Sequence, residues 1–65
     1  MKDPDREFLL IDTEDLMRLV MRGRAVPEHR QASRALFSWL LSRMNSPVQA
    51  VPREFWSVVD ALQDL

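Results

Sequence analysis

Residues 27–44 read PEHRQASRALFSWLLSRM, eighteen positions whose only proline comes first and which hold no glycine. Proline suits a first helical position, because the N–H it lacks would have no intrahelical partner there. No breaker returns until Asn45-Ser46-Pro47, where the residue before a proline is pushed out of the helical region. The stretch predicts the longest helix of the chain, over 27–44. At 100° per residue, Ala32, Ala35, Leu36, Trp39 and Leu40 fall on one side, and Phe37, Leu41 and Met44 widen the arc. Only Gln31, Arg34, Ser38 and Ser42 remain as a polar strip. A helix on one side of a small bundle needs only an apolar stripe. This one is therefore expected either to sit centrally between two others or to bury its second flank against another chain.

On either side of that stretch the chain gives two more helix signals. Thr13 reads as an N-cap, with Glu14 and Asp15 in the first turn, Arg18, Arg22 and Arg24 towards the end and Gly23 as a C-cap, which predicts a helix over 14–22. Leu16, Leu19 and Val20 form its stripe, with Met17 and Met21 on an adjacent one. After Pro52, the spacing of Phe55, Val58, Val59, Leu62 and Leu65 predicts a helix over 52–64, with Trp56 to one side of the stripe. Ala25-Val26-Pro27 and Ala50-Val51-Pro52 recur, but the residues after them diverge, so they read as two similar helix starts and not as a repeat array. The N-terminal segment is ambiguous. Asp3-Pro4-Asp5 resembles a helix start, while Phe8-Leu9-Leu10-Ile11 is compatible with a short helix or irregular arm, which we favour, and with a buried strand. The expected fold class is all-α, a single domain over 1–65 built as a small bundle of three principal helices with a short N-terminal arm.

Composition narrows the function classes. With 65 residues, no cysteine and 46% hydrophobic content, the chain has neither a disulfide framework nor a thiolate metal site to supplement a small core. A domain of this size buries only about 60% of the surface its unfolded chain exposes, so self-association is the support that remains. The longest apolar run, Phe8 to Ile11, is far short of the roughly 20 residues that span a bilayer. The mixed, acidic start Met1-Lys2-Asp3-Pro4-Asp5-Arg6-Glu7 reads against a secretory signal, and a cytoplasmic location is expected.

Catalytic chemistry finds little to work with. His29 is the only histidine, and a solvated first-turn position explains it. Ser33, Ser38, Ser42, Ser46 and Ser57 have no placed base, and no glycine-rich phosphate loop is present. Asp12, Glu14 and Asp15 lack the spacing of a calcium loop and read as helix-start charges. No enzyme, cofactor or metal is expected.

Charge is uneven along the chain. Residues 1–15 hold six acids and two bases, residues 16–53 hold seven arginines and one acid, and residues 54–65 hold three acids. Arg18, Arg22, Arg24, Arg30 and Arg34 make the best cluster, and arginine's fork suits phosphate oxygens. They equally compensate helix dipoles and the acidic ends, and a pI near 5.7 is low for a nucleic-acid binder. If Phe8–Ile11 is a strand, the order strand, short helix, longer helix resembles the ribbon-helix-helix DNA-binding dimers, whose paired strands enter the major groove. The sequence departs from them in offering no polar side chains on that ribbon to read bases, and in adding a helix after Pro52.

The sequence therefore leads to an expectation of a small non-enzymatic interaction module, an adaptor, regulator or inhibitor. It would bind another protein or itself, as a homodimer, through Met17, Met21, Phe37, Leu41, Met44 and Trp56. The alternative is a dimeric nucleic-acid-binding regulator that uses the arginine cluster. Three short helices offer few inward positions, and large apolar residues left over beside one another mark interfaces.

Overall fold

In the computed structural model, which describes residues 9–65, the chain runs strand β1 (Leu9–Asp12), helix α1 (Thr13–Arg24), a 3-10 turn (Pro27–His29) and helix α2 (Arg30–Leu41). Strand β2 (Val48–Val51), a second 3-10 turn (Arg53–Phe55) and helix α3 (Trp56–Gln63) complete it. The expectations for Asp3-Pro4-Asp5 and Phe8 lie outside the described residues. The protein is predominantly helical, but the all-α expectation is corrected by a two-stranded antiparallel ribbon that pairs Leu9 with Val51 and Asp12 with Val48.

The expected arm is thus a strand, and Val48–Val51, whose end reads as the approach to a helix start at Pro52, is its partner. A four-residue apolar run carries no periodicity that separates helix from strand, so pairing decides. Leu9 and Ile11 turn towards the helices while Leu10 and Asp12 face outward, and Gln49 and Val51 do the same in β2 while Val48 and Ala50 face outward. Pro47 and Pro52 bracket β2, and neither can donate to a ladder.

The helix ends differ from their expected positions. The Pro27 and Pro52 starts are 3-10 turns, and α2 and α3 begin only at Arg30 and Trp56. Thr13 is not the cap of α1. Asp12 takes that position without a side-chain bond, and the Thr13 hydroxyl donates instead to the Ser46 carbonyl, 33 residues away. Gly23 is not a C-cap, because α1 continues to Arg24, the cap residue is Ala25, and no described residue has a positive φ. Gly23 is buried within the helix, and a Cβ there would overlap Ser33 Oγ and Leu62 Cδ2. The lone glycine therefore lies where side chains of α2 and α3 come up against the α1 backbone. Helix α2 stops at Leu41, three residues before the sequence suggests, because local side chains take over its last carbonyls. Ser42 Oγ and the Arg43 guanidinium both donate to the Trp39 carbonyl, at 3.1 and 3.2 Å.

The core is one cluster. Leu16, Leu19 and Val20 of α1, Leu36 and Leu40 of α2, Val51 of β2 and Val59 and Leu62 of α3 are buried together. Leu9, Ile11, Trp39, Phe55 and Val58 pack against it, with the Trp39 and Phe55 rings 6.1 Å apart.

Candidate interaction surface

Helices α1 and α2 form an antiparallel hairpin joined by the Pro27–His29 turn, and α3 lies over one side of it, with Leu62 against the α1–α2 crossing at Gly23. Helical spacing puts a second set of side chains on the other side. On α1, Glu14, Met17, Met21 and Arg24 recur every three or four residues. On α2, Arg34, Phe37 and Leu41 recur with the same spacing, and Met44 follows in the turn. Two contacts align these rows. The Arg24 guanidinium lies 5.8 Å from the centre of the Phe37 ring, and Met17, Met44 and Val48 line one shallow concavity rimmed by Asp12, Glu14 and Asp15.

Five of the six expected partner-binding residues therefore share one face. Met21, Leu41 and Met44 are 52%, 55% and 42% exposed, while Met17 and Phe37 are half-buried and pack on the core with their inner edges. Trp56 is not brought to this face. It sits where β2 meets α3, its indole N–H donates to the Val51 carbonyl at 2.7 Å, and the Arg53 guanidinium lies 5.2 Å from its ring centre. Half-buried and bonded at its polar end, Trp56 anchors the ribbon to α3.

The sequence reading missed the outer face of the ribbon. Leu10 is 67% and Val48 46% exposed, and Val48 carries the apolar surface from Met17 and Met44 onto β2. The available signal was the alternation in Val48-Gln49-Ala50-Val51, too short to register as a strand without its partner.

All five arginines of the cluster are exposed, but they are not one patch. Arg18 lies 3.7 Å from both Glu14 and Asp15, in exposed pairs of small energetic weight. Arg22 borders a groove beside Leu10 and Ile11. Arg24 and Arg30 come together at the hairpin turn, where Arg30 Nε donates to the Arg24 carbonyl at 3.4 Å, and Arg34 follows Arg30 one turn along α2. The hairpin face consequently has Arg24, Arg30 and Arg34 at the end with the turn, Asp12, Glu14 and Asp15 together with Arg18 at the other, and apolar side chains between. His29 is half-buried at the end of the 3-10 turn, its backbone N–H bonded to the Val26 carbonyl at 2.9 Å.

Among the described residues, no group of three His, Cys, Asp or Glu side chains is placed to hold a cation, and no helix is long and apolar enough to cross a membrane. No family model matches the chain, and neither a curated protein nor a solved structure is similar to it.

Proposed function

We propose that the protein is a non-enzymatic interaction module that engages a protein partner through the outer face of the α1–α2 hairpin. The observation that carries this reading is the exposure of Met21, Leu41 and Met44 beside half-buried Met17 and Phe37. Large apolar side chains exposed singly are ordinary, whereas neighbours of the same kind on one face are the usual mark of an interface. Methionine suits the role because its unbranched side chain adapts to the shape of what covers it. The apolar strip is bordered by charge, the arrangement of a hydrophobic centre with a polar rim.

The test is site-specific photocrosslinking in the producing cell. A photoreactive residue at Leu41 or Met21 should give discrete protein adducts, and one at Gln63 on α3 should not. Equal labelling at all three positions, or none at any, would remove the reading.

A second reading takes the exposed arginines at the hairpin turn as a phosphate-binding site, since Arg24, Arg30 and Arg34 gather there beside the single acid of the turn, Glu28. It requires affinity for duplex DNA or RNA that falls steeply with salt and is lost when Arg24→Ala is combined with Arg30→Ala. Absence of binding to either duplex at low salt disposes of it.

A further inference from the structure

We propose that the free edge of β1 takes up an extended segment of a partner protein as a third, antiparallel strand, and that this segment carries an acidic residue that meets Arg22. The site lies on the side of α1 turned away from the Met17 and Met21 row, so it is separate from the outer face of the hairpin and does not depend on it.

The backbone defines which groups are free. The Thr13 N–H donates to the Pro47 carbonyl at 2.9 Å, one step beyond the Asp12–Val48 pair. Bonded and non-bonded pairs alternate along an antiparallel ladder. Leu9 and Ile11 therefore spend their N–H and C=O groups on β2, while the N–H and C=O of Leu10 and the N–H of Asp12 point away from it. Among the described residues the sheet has only these two strands, so those three groups face no neighbouring strand. An edge of this kind is a template for a further one.

Side chains define what the added strand would carry. β1 is one wall of a groove, and Asp15, Arg18, Leu19 and Arg22 of α1 form the other. Because α1 starts directly after β1, the chain folds back, with Asp15 at the junction and Arg22 two turns on, beside the far end of the strand. Ile11 and Leu19 give the groove an apolar floor. Arg18 is taken by Glu14 and Asp15, whereas exposed Arg22 has no ion pair among the described residues. An unspent guanidinium at one end of such a groove selects a carboxylate. In an antiparallel strand bonded to Leu10, the paired residue lies on the outer face, beside a leucine that is 67% exposed. The residue after it turns to the groove side at the Arg22 end. The recognised pattern is an apolar residue followed by an acidic one.

Selection of phage-displayed random dodecapeptides on the immobilised full chain tests the site, with enriched sequences synthesised and their affinity read by fluorescence anisotropy. Enriched peptides should share the apolar-acidic pair, and Arg22→Glu should weaken their binding by about tenfold or more. Methylating the backbone nitrogen of the apolar residue should abolish binding, and methylating that of the acidic residue should not, because only alternate N–H groups point at β1. Leu10→Pro removes an N–H that the β1–β2 ladder does not use, so it should lose the peptides and keep the circular dichroism of wild type. If that variant unfolds, the methylation pattern decides. Leu41→Asp, on the hairpin face, should bind the peptides as wild type does. No enrichment, or binding that is indifferent to Arg22→Glu or to the position of the methyl group, overturns the proposal. Peptides lost in Leu41→Asp and retained in Arg22→Glu also overturn it, while leaving the hairpin reading standing.

Discussion

At the scale of single residues the decisive position is Gly23. Alanine is the better helix former by about 1 kcal/mol, so replacing a mid-helix glycine ordinarily stabilises. Here the added methyl would meet Ser33 Oγ and Leu62 Cδ2 in a crossing with no spare volume, and overpacking of that kind costs about 1–3 kcal/mol. Gly23→Ala should therefore lower stability by up to about 2 kcal/mol after the propensity gain. Its neighbour behaves oppositely. Ser33 is fully buried and its hydroxyl has no hydrogen-bond partner among the described residues, so Ser33→Ala should leave stability unchanged or raise it by about 1 kcal/mol. The pair is coupled through the same atom. In a double-mutant cycle read by urea denaturation, Gly23→Ala should cost less in the Ser33→Ala background, since the hydroxyl it strikes is gone. Additive effects would mean that Leu62, and not Ser33, sets the crossing distance.

Among the elements, the ribbon is the one that could not stand alone, because an isolated two-stranded hairpin is marginal in water. Gln49 fastens it. This side chain is buried in β2, and its Nε2 shares its two hydrogens among the Thr13 hydroxyl at 2.9 Å, the Arg43 carbonyl at 2.7 Å and the Ser46 carbonyl at 3.3 Å. One amide thus ties the turn after α2 to the start of α1. The Thr13 backbone N–H, which donates to the Pro47 carbonyl at 2.9 Å, supports the same junction. Gln49→Leu keeps roughly the volume and removes all three of these bonds from a buried site, so it should destabilise by about 2–3 kcal/mol. For a domain of this size that is a fall of roughly 8–24 °C in Tm. Hydrogen exchange should locate the loss, with faster exchange in β1, β2 and residues 42–47 and retained protection in the middle of α1 and α2. Uniform acceleration would show that ribbon and hairpin unfold as one unit.

For the whole molecule, the surplus of apolar side chains has been divided between two uses. Trp39 and Phe55 are taken up between α2 and the start of α3, and Trp56 joins β2 to α3. The addition of a ribbon, which the helical reading lacked, covers part of the core with Leu9, Ile11 and Val51 and so releases the outer flank of α2 from that task. What is left on the hairpin face is Met17, Met21, Phe37, Leu41 and Met44, flanked by unlike charges. A partner that binds only the folded state through this face would raise the Tm, because it shifts the unfolding equilibrium.

The sequence by itself determined the three helices and their inward stripes, Leu16, Leu19 and Val20, Leu36 and Leu40, and Val59 and Leu62, because helical periodicity and proline starts act over a few neighbouring residues. It also displayed the helical members of the exposed face, Met17, Met21, Phe37, Leu41 and Met44, though not Val48 beside them, since apolar excess can be counted on a helical wheel. Only the tertiary structure decided that Leu9–Asp12 is a strand, that Gln49 is buried, that Gly23 is a crossing point instead of a cap, and that Trp56 stands apart from the methionines. Each of these depends on which distant segment lies alongside. Strand pairing, burial of an amide and close helix approach are all set by partners 10 to 40 residues away, whose positions no local pattern encodes.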